Sequence, residues 1–317
     1  MTVSINEVDK IEILTLQDNY VDLTSLDNTE IVTRAMPLKD MEVKNSILAE
    51  HGFSAVVTVT KGEAARSMLF DFGFSEQGAA FNADALSLDL SSIETTALSH
   101  GHLDHVGGMK ELMKRVGKKG LELIVHPEAF RNPRYMKITE EIKVLFPPFT
   151  REKAEEAGLK IVTTKDPYKL LDGDVLFLGE IPRKTDFEKG DPRLFYQDDG
   201  VEKQEDFLDD TALVVNLKGK GLVVLSGCAH SGIVNTVHYA REVAGVENIH
   251  AVMGGFHLSG PTLAPVIPPT VKGLKEINPT YVIPTHCTGR NAILEIEKAM
   301  PDGFIVNMSG TKLTFAA

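Results

Sequence analysis

Short apolar runs rich in Val, Ile and Leu recur along the chain, each about the length of a β-strand and each flanked by turn-forming residues. They occupy 11–16, 54–60, 66–73, 121–127, 159–164, 174–179, 211–217, 221–227, 249–255, 280–286, 303–309 and 312–316. Between several of them the apolar residues take the spacing of amphipathic helices, at 37–52, 107–120, 231–245, 262–278 and 291–300, with Gly or Pro at several of the ends. This alternation predicts an α/β fold. A short Lys–Gly turn joins 211–217 to the next run and predicts a hairpin, so part of the sheet is antiparallel. Neither of the Gly-rich phosphate-cradling patterns that join a strand to a helix occurs.

The segment 182–210 breaks the rhythm, being rich in charge and Pro with few apolar residues. It reads as a long surface loop, either a plain connection or a flap over a site. No run approaches the roughly 18 to 20 apolar residues that span a bilayer, and the first residues lack the pattern of a secretion signal. A cytoplasmic protein with no membrane partner is expected. Two cysteines in 317 residues are too few for a disulfide framework and suit a reducing compartment. The net charge of −12 disfavours nucleic acid as a partner, because phosphate backbones attract a surplus of Lys and Arg. The expected partner is a small-molecule substrate.

Histidine placement changes the picture most. Of ten histidines, three fall in the stretch SHGHLDHVGG, together with Asp104, and none lies between 126 and 230. Crowded imidazoles repel one another once protonated and give a helix or strand no packing advantage, so a bound cation is the natural explanation. A strand ending near Leu98 lets His100 and His102 project the same way from an extended turn. Asp104 and His105 then reach an adjacent point as a helix begins, so one loop can serve two neighbouring ions. Gly101, Gly107 and Gly108 permit the tight backbone path. His230, His257 and His286 each follow an apolar run, and Cys228 and Cys287 lie within two residues of a histidine.

The H-x-H-x-D-H pattern after a strand, with LFDFG some thirty residues earlier, resembles the metallo-β-lactamase fold superfamily. The strings AEHGFS, GCAHSGIVN, GGFHL and PTHCTG resemble a narrower branch, the 7,8-dihydropterin-6-methyl-4-(β-D-ribofuranosyl)-aminobenzene-5'-phosphate synthase-like proteins. The resemblance implies a four-layer αββα sandwich with mixed sheets, formed by a single domain over 1–317 with an inserted helical and loop region at about 109–210. It also implies that His100, His102 and His230 bind a first metal, and Asp104, His105 and His286 a second. Asp71 would orient the ligand loop without touching metal. The chain departs from the superfamily in two ways: no histidine lies between 126 and 230, although a typical member has one well before the strand that ends in the acid bridging the two ions, and that strand ends here in Gly227 and Cys228. Cys228, Asp209 or Asp210 are the alternatives for that role. His257 is a candidate ligand or substrate-facing base, and His51 a candidate substrate contact on a flap. His126, His238 and His250 are read as structural.

One or two divalent ions are therefore expected, zinc first, with manganese or iron as alternatives. The chemistry implied is that of a metal-dependent hydrolase acting on a phosphate ester, lactone or amide, with Asp104 both ligating and orienting the nucleophile. The branch name implies a synthase joining a dihydropterin to an aminobenzene ribose phosphate. A nuclease of the same superfamily and a non-catalytic metal sensor are the competing readings.

Overall fold

The computed structural model describes residues 2–43 and 45–317. Two large sheets pack face to face. One has eight strands in the order Leu159–Thr163, Leu121–Val125, Ile93–Ala97, Ala64–Phe70, Ser54–Lys61, Lys10–Gln17, Lys312–Ala316 and Val32–Thr33. The other runs Tyr168–Leu170, Val175–Phe177, Ala212–Leu217, Gly221–Ser226, Ile249–Gly255 and Tyr281–Thr285, with Glu7–Val8 paired alongside Ala212–Leu217.

Strand composition explains the layering. In Ala212–Leu217 and Gly221–Ser226, Leu213, Val215, Val223 and Leu225 face the other sheet, whereas Ala212, Val214, Leu222 and Val224 face outward into a second apolar layer. Strands buried on both faces read as unbroken apolar runs, which is how these two appear in the sequence. Ile13, Val57, Met68, Phe70 and Leu313 of the eight-stranded sheet meet Phe177, Leu213, Val223 and Met253 of the other in the central core. Helices Ile233–Ala244, Ile267–Ile277 and Arg290–Ala299 cover the outside of the seven-stranded sheet. Helices Gly78–Ala85, Met109–Val116 and Arg151–Glu156 cover the outside of the eight-stranded one. The result is a four-layer αββα sandwich with mixed sheets.

Within 109–210, four strands join the two large sheets, and Arg134–Lys137, Lys143–Leu145, Leu194–Asp198 and Val201–Gln204 form a separate antiparallel sheet. The expected loop at 182–210 is thus only partly a loop. Its second half is a hairpin turning at Asp199 and Gly200, and its buried Glu188 carboxylate accepts the Val234 and Asn235 N–H groups at the start of a helix. The helix expected at 37–52 does not form. Leu38–Lys39 and Glu42–Val43 make a small hairpin there, and Leu38, Met41, Val43 and Leu48 remain exposed, so the apolar spacing finds no surface to pack on. The strand expected at 303–309 reduces to a single bridge between Phe304 and Val282. Among the described residues no helix is long and apolar enough to cross a membrane.

Strands Ala64–Phe70 and Ile93–Ala97 run parallel in one sheet, and Gly221–Ser226, Ile249–Gly255 and Tyr281–Thr285 run parallel in the other. The residues following their C-terminal ends meet at one rim, the usual location of a ligand site in such sheets.

Candidate metal centre

Five strand ends deliver the site: Asp71 after the first, 99–105 after the second, 227–231 after the third, His257 after the fourth, and His286 with Cys287 after the fifth. Asp71, Ala229, His257 and His286 all have positive φ, between +45° and +60°. Left-handed backbone at non-glycine residues is costly and clusters where a fold must aim side chains.

The six histidine and aspartate residues assigned by resemblance come together. The rings of His100, His102 and His230 lie with centroids 4.5–4.9 Å apart. Next to them, Asp104 Oδ2 is 3.0 Å from His286 Nε2 and 3.6 Å from His105 Nε2. Ligand-capable atoms group as His100, His102 and Asp104, as His100, Cys228 and His230, and as Asp104, His105, Cys228 and His286, within 4.8 Å in each group. Cys228 therefore belongs to both halves and occupies the position between them. Neither Asp209 nor Asp210 joins these groups: Asp209 accepts the Gly101 N–H and pairs with Arg134 at 3.0 Å, and Asp210 accepts the Ser231 N–H through Oδ2. These two aspartates hold the ligand loops instead.

Orienting bonds fix which ring nitrogens face the centre. Asp71 is fully buried and accepts three bonds, from Ser99 N at 2.7 Å, Ser99 Oγ at 2.7 Å and His105 Nδ1 at 2.6 Å. With the His105 proton on Nδ1, Nε2 is left as an acceptor 3.2 Å from Cys228 Sγ. Asn19 Oδ1 does the same for His286, lying 3.1 Å from Nδ1, while Asp18 accepts the His286 N–H at 2.8 Å. Gly227 is required by this packing, since a Cβ there would sit 2.1 Å from Ser99 Oγ and 2.9 Å from Asp71 Oδ2. Phe207 stacks on His230 at 4.4 Å.

Charge and burial favour a cation. Burial holds the rings of His100 and His230 well below the ordinary histidine range and brings His102 down to about 3, leaving neutral imidazoles, the ligating form. For His105 burial opposes charge, but Asp104 and Asp71 outweigh it and raise the ring to about 10, so a cation bound at Nε2 would take the place of the proton held there. Burial pushes the Cys228 thiol up, so a thiolate at that position calls for an adjacent cation. His100 Nε2 and both ring nitrogens of His230 are buried without a hydrogen-bond partner among the described residues. Each such orphan costs about 1–3 kcal/mol, and coordination to an ion removes the penalty. The donor set thus fits divalent metal.

Two further histidines approach the centre. His257 packs on His230 at 4.2 Å and lies 3.4 Å from Asp191, and it groups with Cys228 and Cys287. His51 is exposed, with Nε2 3.5 Å from Asp104 Oδ2 and its ring 4.7 Å from that of His286. Cys287 Sγ is 3.2 Å from Cys228 Sγ. By contrast, His126 accepts a backbone N–H from Glu128, His238 lies in the middle of helix Ile233–Ala244, and His250 sits at the opposite end of its strand from the cluster, packed on Tyr281 and Phe315. Asp18, Asn19, Asp191 and Arg193 were not legible as site residues. The only signal was that Asp18 and Asn19 follow directly on the end of strand Lys10–Gln17.

Above the cluster lies a cleft of about 610 Å³, reached by His51, His102, Asp104, Cys228, His230, His257, His286 and Cys287. Its apolar lining includes Phe74 and residues 136 and 144–147 of the separate four-stranded sheet and its flank.

Comparison with known proteins agrees with this architecture. The sequence pattern described as the metallo-beta-lactamase superfamily matches residues 51–207. The chain is 29% identical over 299 residues to the 7,8-dihydropterin-6-methyl-4-(β-D-ribofuranosyl)-aminobenzene-5'-phosphate synthase of Methanocaldococcus jannaschii, covering 92% of each. A crystal structure of a metal-dependent hydrolase of the β-lactamase superfamily superposes with a TM-score of 0.72 at 24% identity, covering 97% of this chain and 100% of the other. A metallo-β-lactamase fold protein from Bacillus subtilis superposes at 0.51 with 12% identity, covering 97% of this chain and 100% of the other. The chain has the metallo-β-lactamase fold and carries that superfamily's sequence pattern over residues 51–207.

Proposed function

We propose that the protein is a metal-dependent enzyme acting on a small phosphorylated or ester-like molecule, with the aminobenzene ribose phosphate synthase reaction named for the archaeal relative as the first to test. The observation that carries this reading is the convergence of six His and Asp side chains, five of them grouped with Cys228, beneath a cleft that four of the six line. His100, His102 and His230 would hold one divalent ion, and Asp104, His105 and His286 a second, with the Cys228 thiolate between them. A soft sulfur among imidazoles supports zinc over manganese or iron.

A divalent ion in this donor set supplies Lewis acidity at a phosphoryl or carbonyl oxygen and lowers the pKa of water from about 15.7 toward about 7. The chain's own groups do the rest. Asp104 is held between His286 and His51, so its carboxylate can orient a nucleophile or take up a hydrogen bond from it. His51 stands exposed at the mouth, where burial of its ring face and the His286 neighbour keep it below the ordinary histidine range and therefore neutral, able to accept a proton from substrate. His257, pinned by Asp191, faces the cleft beside His230 as a proton donor to a leaving group. In a hydrolase these residues cleave with water. In the synthase reading ions held here would supply positive charge for a departing anionic group, and His51 would take the proton that the attacking aromatic carbon or nitrogen gives up.

The cleft volume argues against a purely sensing role, since a metal sensor needs no cavity of substrate size. A nuclease fits poorly, because Arg193 is the one Lys or Arg among the described residues lining the cleft. The test is a panel of phosphoesters, lactones and dihydropterin diphosphate with added zinc, manganese or iron, comparing the wild type with His102→Ala and measuring bound metal in both. Turnover on one class that His102→Ala abolishes supports the reading; full activity in the variant refutes it.

A further inference from the structure

Arg193 has no part in the metal centre, and its surroundings single it out. It lies in the turn just before strand Leu194–Asp198, where Asp191 is nearly fully buried and accepts from the Arg193 backbone N–H at 2.9 Å, from Nε at 2.9 Å and from Nη2 at 2.6 Å. This bidentate grip fixes the plane of the guanidinium, so little rotamer freedom remains to be lost when it binds something else. Nη1 has no protein partner among the described residues and points along Gly260 at the cleft wall, 3.9 Å from where a Cβ on that glycine would stand. The side chain is 35% exposed and borders the cleft.

The rest of the lining is unlike a site for a polar chain or a sugar alone. Phe74 and Leu145 are large apolar side chains left 38% and 67% exposed, and Met136 and Phe146 border the same cavity. Phe146 meets the His102 ring at 5.6 Å, so the apolar lining begins directly beside the metal ligands. Apolar surface of this kind inside a concave site is matched by an apolar or aromatic body.

We propose that Arg193 and the Phe74, Met136, Leu145 and Phe146 lining form a specificity subsite, in which the substrate's flat apolar body lies against that lining and an anionic group, phosphate or carboxylate, rests on Nη1 of Arg193. This inference rests on the enzymatic reading above and concerns the part of the substrate that does not react. The Asp191 carboxylate that holds Arg193 also touches His257, so the anchor for the anion and the histidine beside His230 share one support. The apolar lining comes from the four-stranded sheet and from Phe74, which places substrate choice on elements outside the ligand loops.

The test measures binding to the metal-loaded protein by calorimetry, with phenyl phosphate, benzoate, neutral benzamide and inorganic phosphate as probes. Arg193→Gln is expected to weaken at least one of the two aromatic anions about tenfold or more, the cost of a lost charge-assisted hydrogen bond, with benzamide affinity and metal content unchanged. Which of phenyl phosphate and benzoate suffers more identifies the anion. Arg193→Lys should recover part of the loss. Phe146→Ala should weaken phenyl phosphate and benzamide alike and leave inorganic phosphate unaffected. Wild-type protein that binds neither aromatic anion, an Arg193→Gln variant that binds both as the wild type does, or equal weakening of anions and benzamide overturns the subsite. Failure of the enzymatic reading shows separately, as wild-type protein that takes up no metal while its anion binding still depends on Arg193.

Discussion

Asp71→Asn isolates the orienting bonds from the ligands. The carboxylate accepts from Ser99 N, Ser99 Oγ and His105 Nδ1, all at 2.6–2.7 Å and all out of contact with solvent. Asparagine keeps the size and tolerates the φ of +60° at this position, so the backbone is undisturbed. It replaces one acceptor oxygen by an NH₂ donor, however. If the oxygen stays toward Ser99 N, the NH₂ faces His105 Nδ1–H and Ser99 Oγ. The ring then moves its proton to Nε2, the nitrogen that points at Cys228 and Asp104. A ligand nitrogen that carries a proton cannot bind metal, and loss of such an orienting partner costs about 10–100-fold in metal affinity. That corresponds to about 1.4–2.7 kcal/mol at one site, beside a fold destabilisation of about 1–3 kcal/mol for the mismatched buried bond. Chelator-competition titration reads the loss: the class held by Asp104, His105 and His286 should shift by this amount, and a smaller shift of the His100, His102 and His230 class is expected through Ser99 Oγ, which also meets His100 Nδ1 at 3.0 Å. If Asp71→Asn leaves both affinities unchanged while His105→Ala lowers one, the tautomer argument is wrong.

Other perturbations reach different parts of the account. In the cobalt-loaded protein, Cys228→Ser should remove the sulfur-to-metal charge-transfer absorption and lower the stoichiometry or affinity of bound metal; an unchanged spectrum places the sulfur outside the coordination sphere. Gly227→Ala drives a methyl into Ser99 and Asp71 and should cost about 1–3 kcal/mol by urea unfolding, whereas Gly219→Ala, which meets nothing within 4 Å but keeps a positive φ, should show only the smaller backbone penalty. Asp27 grips the buried Arg34 side chain through two bonds at 2.8 and 2.6 Å, which hold its carboxyl well below the usual range. A depressed carboxyl contributes stability above its unfolded value of about 3.8 that is lost as pH falls further. The stability difference between wild type and Asp27→Asn should therefore shrink on acidification through pH 4, and a difference that grows would contradict the assignment.

Much of the architecture could be read from the chain because its strands bury both faces, which leaves unbroken Val, Ile and Leu runs such as 211–217 and 221–227. The ligand loop was legible for a different reason: three histidines and an aspartate within six positions have no packing rationale. What stayed hidden depends on contacts across long sequence separations. Nothing local marks Asp191 and Arg193, which lie in a charged stretch that reads as solvated loop, although Asp191 is nearly fully buried in the fold. Asn19 looks like an ordinary turn residue until His286 is brought beside it from 267 positions away. The bridging position was open between Cys228, Asp209 and Asp210 because sequence order cannot show that Arg134 and the backbone at Gly101 claim Asp209. The failed helix at 37–52 shows the opposite limit, an apolar period with no partner surface.

The most direct measurement is anomalous diffraction from crystals of the metal-loaded protein. The account predicts one ion within about 2.0–2.1 Å of nitrogens from His100, His102 and His230, a second bound by Asp104, His105 and His286, and Cys228 Sγ about 2.3 Å from at least one of them. Anomalous peaks away from these residues, or none in protein that is active and metal-replete, would contradict it.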